Sequence, residues 1–352
     1  MEKKSNLADL IEVSRKYGSD PDWVLAGGGN TSMKEEGVLY VKASGYQLAT
    51  IGEEGFVKMS LDRLNGIWET KYPADEKERE AAVLEDMMSA RLEGETARPS
   101  VEALLHSLFR GRLVVHTHPA LINGLTCGRD GEKAAREIFG DEAVWVPLVH
   151  PGYILANEIK KRIDAALAAG KPYPKILLLQ NHGLFVSGET PADIEAMQND
   201  VKSRIEKSLE RRPVGGYQEA GKADCDAAAA GAEKVFGKKM VIRSAVNPDV
   251  LAFAETEEAF EPLRLPFNPD QIVYSGPGPV WADSLSGLGG AAAAYAAAWK
   301  RPPQGFLVKG AGLFAAGETE KKADTALALL LDTVKIAVYT ESFGGARPMT
   351  NE

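Results

Sequence analysis

Two hydrophobic periods alternate along the first two hundred residues: blocks with helical spacing and short runs that are apolar throughout. Leu7, Leu10, Ile11 and Val13 predict an amphipathic helix over 5–17, ended near Gly18. Trp23 to Ala26 predicts a short strand feeding Gly27-Gly28-Gly29-Asn30-Thr31-Ser32, and Val38 to Ala43 a second strand with Ser44-Gly45 at its end. Helices follow over 62–68 and 75–91, the second charged enough to be solvated on one face. Ser100 after Pro99 reads as an N-cap, and Val101, Leu104, Leu105 and Leu108 give a short helix that Gly111 stops. Leu113 to Val115 begins a buried strand ending in His116-Thr117-His118. A short helix from Pro119 to near Gly124, a helix over 132–139, a strand over 144–147 and a helix over 153–169 come next. Ile176 to Leu179 is a buried strand with Leu184 to Val186 as its hairpin partner, and Thr190 caps a helix running to about Arg211. Strands alternating with helices predict an α/β fold.

The pattern breaks at 212–240, where Pro213 and Gly215-Gly216 lead into Ala-rich charged sequence, and then it repeats. Residues 307–319 match residues 178–190 at an offset of 129, and Asp270 to Tyr274 matches Asp141 to Trp145 more weakly at the same offset. The expected organisation is a first domain over 1–212, a boundary segment over 213–240, and a shortened, degenerate α/β copy over 241–352. Ala311 stands where the first copy has His182, and no histidine follows residue 182.

Composition narrows the class. With 44% hydrophobic and 26% charged residues the 352-residue chain is an ordinary globular one. Its net charge of −9 argues against nucleic acid as a partner, because phosphate binding needs a basic surface. Cys127 and Cys225 stand far apart and read as reduced thiols. The N-terminus has no signal-peptide core, and Ala291 to Trp299 is too short to span a bilayer. A soluble cytoplasmic protein without a membrane partner is expected.

The five histidines all fall between residues 106 and 182. Alternate strand residues share a face, so His116 and His118 point the same way, about 7 Å apart along the backbone. A lone His-x-His is more often a satisfied core pair. Here His182 follows a hydrophobic strand, where α/β proteins build sites, and Glu102 lies in the first turn of the preceding helix. Three neutral imidazoles with a carboxylate nearby make an open divalent-metal site. Zn²⁺ suits that donor set, as do Mn²⁺, Co²⁺ and Fe²⁺. His106 reads as a core or edge histidine, and His150, in a Pro-Gly turn, is not expected to be a ligand. The Gly27–Gly29 run is no dinucleotide fingerprint, since Gly-x-Gly-x-x-Gly opening a helix is missing. Glycines and small hydroxyl residues at strand ends do let backbone N–H groups approach an anion.

Glu102, His116-Thr117-His118-Pro119 and Asn181-His182-Gly183-Leu184, preceded by Gly29-Asn30-Thr31-Ser32, resemble the class II aldolase/adducin superfamily. Gly27–Ser32, Val41–Gly45 and Ser342–Gly345 resemble in particular the aldolase half of bifunctional rhamnulose-1-phosphate aldolase/lactaldehyde dehydrogenase proteins. The resemblance implies a three-layer αβα class II aldolase-like fold. It implies zinc held by His116, His118 and His182, and Glu102 as catalytic acid/base. It also implies a phosphate cradle at Gly29, Asn30, Ser44, Gly45 and Ser100; the family's second serine is Val101 here, one hydroxyl fewer. The implied reaction cleaves a deoxyketose 1-phosphate, such as L-rhamnulose or L-fuculose 1-phosphate, to dihydroxyacetone phosphate and L-lactaldehyde through a metal-stabilised enediolate. Dehydratases, epimerases and decarboxylases share the scaffold, and adducin-like members are non-catalytic binding proteins. Simple relatives form tetramers and use a neighbouring subunit's tyrosine, to which no position here corresponds. A homo-oligomer is therefore expected, with a sugar phosphate as the small-molecule partner. The dehydrogenase module of the bifunctional proteins would follow Pro348-Met349-Thr350, and no NAD-linked activity is expected of this chain.

Overall fold

The computed structural model describes residues 7–350. The chain divides into two compact units: Met1–Pro119 with Ala135–Arg204, and Ala120–Ala134 with Ile205–Glu352. The second unit thus takes in Ala120–Ala134, a segment inside the 1–212 span read from the sequence.

The first unit is built on a seven-stranded sheet in the order β3-β2-β1-β4-β7-β6-β5. Its strands are β1 (Asn30–Glu35), β2 (Val38–Lys42), β3 (Phe56–Ser60), β4 (Leu113–Thr117), β5 (Ala143–Val146), β6 (Ile176–Leu179) and β7 (Gly183–Gly188). Only β5 and β6 pair in parallel. One face carries Leu39, Val41, Val57, Met59, Val114, Leu177 and Phe185. These pack against α2 (Leu61–Gly66), α3 (Glu76–Ser89), α4 (Ala103–Leu108) and α7 (Tyr153–Ala168). The other face meets α1 (Ala8–Gly18), whose Ser14 hydroxyl lies 2.6 Å from that of Thr31 on β1. Beside α1 runs α8 (Pro191–Glu206), tied to it by Lys16–Glu195 at 2.6 Å. Sheet and two helical layers make a three-layer α/β fold, as the resemblance implies.

Two expectations near the site are corrected. Trp23–Ala26 is not a strand: the N–H groups of Trp23 and Val24 both bond back to the Asp20 carbonyl, and Ala26 and Gly29 take φ of +52° and +68°. This closes the backbone into turns, and the strand begins only at Asn30. Ser100 is not the N-cap of the helix after Pro99, which starts at Ala103 rather than Val101, because the Ser100 hydroxyl accepts from the Glu102 N–H at 3.2 Å in a turn of its own. Glu102 is therefore the residue before the helix, and its carboxylate is free of any capping duty.

The second unit holds α5 (Ala120–Thr126) and the start of α6 (Gly131–Phe139), then α9 (Lys222–Phe236) through α14 (Glu320–Thr340). Its sheet runs β8-β11-β10-β9, with β8 (Val241–Ala245), β9 (Val280–Ala282), β10 (Gly305–Val308) and β11 (Gly312–Gly317). That order, and the parallel or antiparallel sense of each pair, repeats β4-β7-β6-β5. β6 and β7 recur as β10 and β11 at the 129-residue offset, while β4 and α5 recur as β8 and α10 (Pro248–Ala254) at 128. The weaker match at 270–274 does not hold. Asn268 caps Pro269–Tyr274 as helix α12, and the strand equivalent to β5 is β9, which by register (Trp281 for Trp145) lies seven residues further on than that offset predicts. Nor is 213–240 wholly connecting chain: its alanines, strong helix formers, make α9, which packs on α13 (Leu288–Trp299).

Candidate metal centre

The centre is assembled by register. Asn30 on β1, His116 on β4 and Phe185 on β7 stand directly opposite one another, so their side chains share one face of the sheet. Phe185 stacks on the His116 ring at 3.9 Å between centroids and 11° between planes. The His116 Nδ1–H donates to the Leu184 carbonyl at 2.9 Å, which turns the Nε2 lone pair outward. Burial, and His118 beside it, push the His116 pKa well below its ordinary value, so the imidazole is neutral and its lone pair available. His118 follows directly after β4. His182 sits in the β6–β7 turn, beside Asn181 at φ +54°.

Nε2 of His116 lies 2.9 Å from Nε2 of His118 and 3.2 Å from that of His182. One nitrogen of each ring falls within 4.8 Å of the others. Imidazoles bound tetrahedrally at 2.0–2.1 Å have nitrogens about 3.3 Å apart, close to this spacing. Glu102, 7% exposed, closes the cluster: Oε1 is 3.4 Å from His182 Nε2 and Oε2 is 3.6 Å from His116 Nε2. Oε1 is buried with no hydrogen-bond partner. Converging lone pairs beside an uncompensated carboxylate are a donor set that a divalent cation completes. The residues fit the metal.

Of the remaining predicted positions, Gly29 and Asn30 border this cluster, and Ser44, Gly45 and Ser100 lie where the end of β2 meets the Pro99 segment. Ala43 pairs with Pro99 as an isolated antiparallel bridge, so Ser44 lies opposite Arg98 and Ser100 opposite Lys42. The Ser44 hydroxyl donates to the Pro99 carbonyl at 3.1 Å, and the Ser100 N–H to the Lys42 carbonyl at 2.9 Å. Gly45 has φ +91°. Gly29, at φ +68°, passes so close to His116 that a Cβ there would sit 2.8 Å from its carbonyl oxygen. The Asn30 amide is turned toward Glu102, its Nδ2 donating to Oε2 at 2.5 Å. His150 lies apart, half-exposed or more and facing Glu76 at 3.2 Å. His106, read from the sequence as a core or edge histidine, is buried as expected, but neither it nor Ser32 was given a place beside the site. His106 is fully buried, its ring nitrogens meeting Asn30 Oδ1 and, at 2.7 Å, the Ser32 hydroxyl. A polar residue in the apolar face of a helix was the available signal.

The fold and this cluster define a class of protein, and sequence comparison agrees. The family profile described as Class II Aldolase and Adducin N-terminal domain matches residues 8–199, and the chain belongs to that family. A curated relative, the uncharacterized oxidoreductase YuxG of Bacillus subtilis (strain 168), is 33% identical over 191 residues. The match covers 52% of this chain and 26% of that protein, so the chain spans about a quarter of its relative's length. Among solved structures, the N-terminal class II aldolase domain of a conserved protein from Thermoplasma acidophilum is 29% identical. It covers 59% of this chain and 95% of its own, with a TM-score of 0.49. L-Fuculose-1-phosphate aldolase from Thermus thermophilus is 17% identical, covering 56% and 93%, with a TM-score of 0.37.

Proposed function

We propose that the protein is a metal-dependent class II aldolase, a lyase that cleaves a deoxyketose 1-phosphate to dihydroxyacetone phosphate and L-lactaldehyde. L-Rhamnulose 1-phosphate is the proposed substrate. The observation that carries this reading is the convergence of three imidazole nitrogens on one point, with a buried carboxylate 3.4–3.6 Å away. His116, His118 and His182 would hold the cation, with Zn²⁺ best suited to three neutral imidazoles. When bound, it supplies a Lewis acid that draws electrons toward the substrate carbonyl oxygen. Glu102 moves the proton. As the carbon–carbon bond breaks, its electron pair passes to the ketone fragment, and the Glu102 O–H bond then breaks to form a C–H bond on the carbon left behind. In net terms the hydroxyl hydrogen of the aldehyde fragment replaces the broken bond, so the reaction consumes nothing but the ketose. Gly29, Asn30, Ser44, Gly45 and Ser100 are the proposed phosphate cradle. The active form is proposed to be a cytoplasmic homo-oligomer.

The test is dihydroxyacetone phosphate release from L-rhamnulose 1-phosphate by metal-analysed protein, beside a His116→Ala control. Release by the zinc-loaded protein and none by the control is the expected result. Stoichiometric metal without release would reject this substrate and move dehydration or epimerisation of a sugar phosphate ahead. A protein that binds no metal would overturn the catalytic reading and leave an adducin-like binding role.

A further inference from the structure

One buried titratable group is left over by that mechanism. His106 is fully shielded on α4, edge-on to Phe185 with 5.4 Å between ring centroids, and both its ring nitrogens carry hydrogen bonds. Each bond in the chain it belongs to has its direction dictated from one end. The Asn30 Nδ2 group has no lone pair, so at 2.5 Å it can only donate to Glu102 Oε2. Asn30 therefore presents Oδ1 to His106, and Oδ1 can only accept. His106 must carry its proton on Nε2, which leaves Nδ1 as the acceptor for the Ser32 hydroxyl at 2.7 Å. Burial, with His116 and Lys34 nearby, pushes the His106 pKa well below its ordinary value and keeps the ring neutral, as this arrangement requires. Asn30, Ser32 and His106 are all buried, so water does not compete for these bonds.

The two oxygens of Glu102 are thereby made unequal. Oε2 is held as an acceptor by Asn30, whereas Oε1 is buried and without a hydrogen-bond partner, on the side of His182. We propose that Ser32, His106 and Asn30 form a positioning relay that locks the Glu102 carboxylate and reserves Oε1 as the atom that gives and takes the proton. The inference rests on the aldolase reading for the proton's destination, but the relay itself rests on hydrogen-bond direction alone. His106 and Ser32 act through Asn30 and are positioning residues.

Two measurements test it. In intact protein labelled with ¹⁵N-histidine, long-range ¹H–¹⁵N spectra at neutral pH are expected to show His106 protonated on Nε2 and bare on Nδ1. The opposite tautomer, or an imidazolium, overturns the relay whether or not any sugar phosphate is cleaved. In the kinetic arm, His106→Leu removes both bonds, and kcat is expected to fall by about 10- to 100-fold, with KM within about threefold and metal content unchanged. His106→Gln, whose amide restores a donor to Asn30, is expected to recover most of that loss. Equal impairment of the Leu and Gln variants, or no impairment in either, overturns the proposal. Should His106→Leu fail to fold, Ser32→Ala removes only the outermost bond and is expected to lower kcat by about three- to tenfold; unchanged kcat would count against the relay. Wild-type protein that cleaves no ketose phosphate would defeat the aldolase reading and leave the tautomer to decide the relay.

Discussion

Gly183 shows how little room the centre leaves. A Cβ at this position would lie 2.3 Å from the Thr117 carbonyl oxygen and 2.7 Å from Cδ2 of His118. The carbonyl belongs to a strand paired on both sides and cannot retreat, so the β6–β7 turn that carries His182 must shift, and the His118 ring with it. Gly183→Ala is therefore expected to weaken metal binding at least tenfold, with a stability loss of about 1–3 kcal/mol. Competition with a chromophoric chelator and a thermal melt would read the two effects, and wild-type metal affinity would contradict the argument. The convergence of His116, His118 and His182 was legible in the sequence because their spacing and strand-end positions carry the signal, and that of Glu102 from its place at the start of the helix before β4. The bonds from Asn30 to Glu102 and His106 were not. They depend on which β1 residue lies opposite His116, and a cross-strand register is invisible without knowing where β1 begins.

At the scale of the element, β1 was the part of the fold least readable in the sequence. Its residues, Asn-Thr-Ser-Met-Lys-Glu, carry almost no apolar signal, yet the strand sits between β2 and β4 and its first four residues are buried. The pairing, not the strand's own propensity, makes it a strand. One consequence is Lys34, the fifth residue, which the register sets on the same face as Asn30 and Ser32 and leaves partly buried. Burial pushes its amine down from 10.5 to about 7, partly offset by Glu189, and its nearest acceptor is the Gly111 carbonyl at 3.5 Å. The unfolded chain thus binds this proton up to about pH 10 and the folded one only up to about 7. The stability Lys34 contributes is present above its unfolded pKa and is lost as pH falls through the folded one. Lys34→Met is expected to flatten that slope between pH 7 and 10 and to stabilise the protein at pH 7 by about 1–2 kcal/mol. Urea melts across that range would show it, and parallel curves for the two proteins would refute it. Helices and buried strands of the α/β units, by contrast, were legible from their periods. The repeated hairpin β10–β11 was legible from the sequence match alone, whereas the β5 equivalent was misplaced because the chain between repeats had changed length.

Across the whole molecule, the same four-stranded unit occurs twice, and one of the two carries a histidine cluster able to hold a metal. The second unit has its own apolar cores, around Phe260, Phe267 and Leu330 and around Phe306 and Phe314. The register makes the loss of the site specific: Phe314 lies opposite Ser244 where Phe185 lies opposite His116. The positions of His116, His118 and His182 are thus filled by Ser244, Val246 and Ala311, none of which offers an imidazole. Among the described residues no transmembrane-length apolar helix occurs either, and the one cluster able to hold a metal is in the first unit. If the proposed cation binds there, its stabilisation belongs to the strands that carry its ligands. A ligand present at 100 times its Kd stabilises the state that binds it by about 2.7 kcal/mol, which is about 100-fold in the population of opened forms. Stripping the metal with a chelator is therefore expected to accelerate amide hydrogen exchange in β4 and the β6–β7 turn by up to about 100-fold. β8 and the β10–β11 turn, the same elements without ligands, are expected to keep their protection. Exchange followed by mass spectrometry on the full chain measures both at once, each repeat serving as the other's control. Equal loss of protection in the two repeats would mean that the metal stabilises the chain globally, and no change in either would mean that it binds elsewhere.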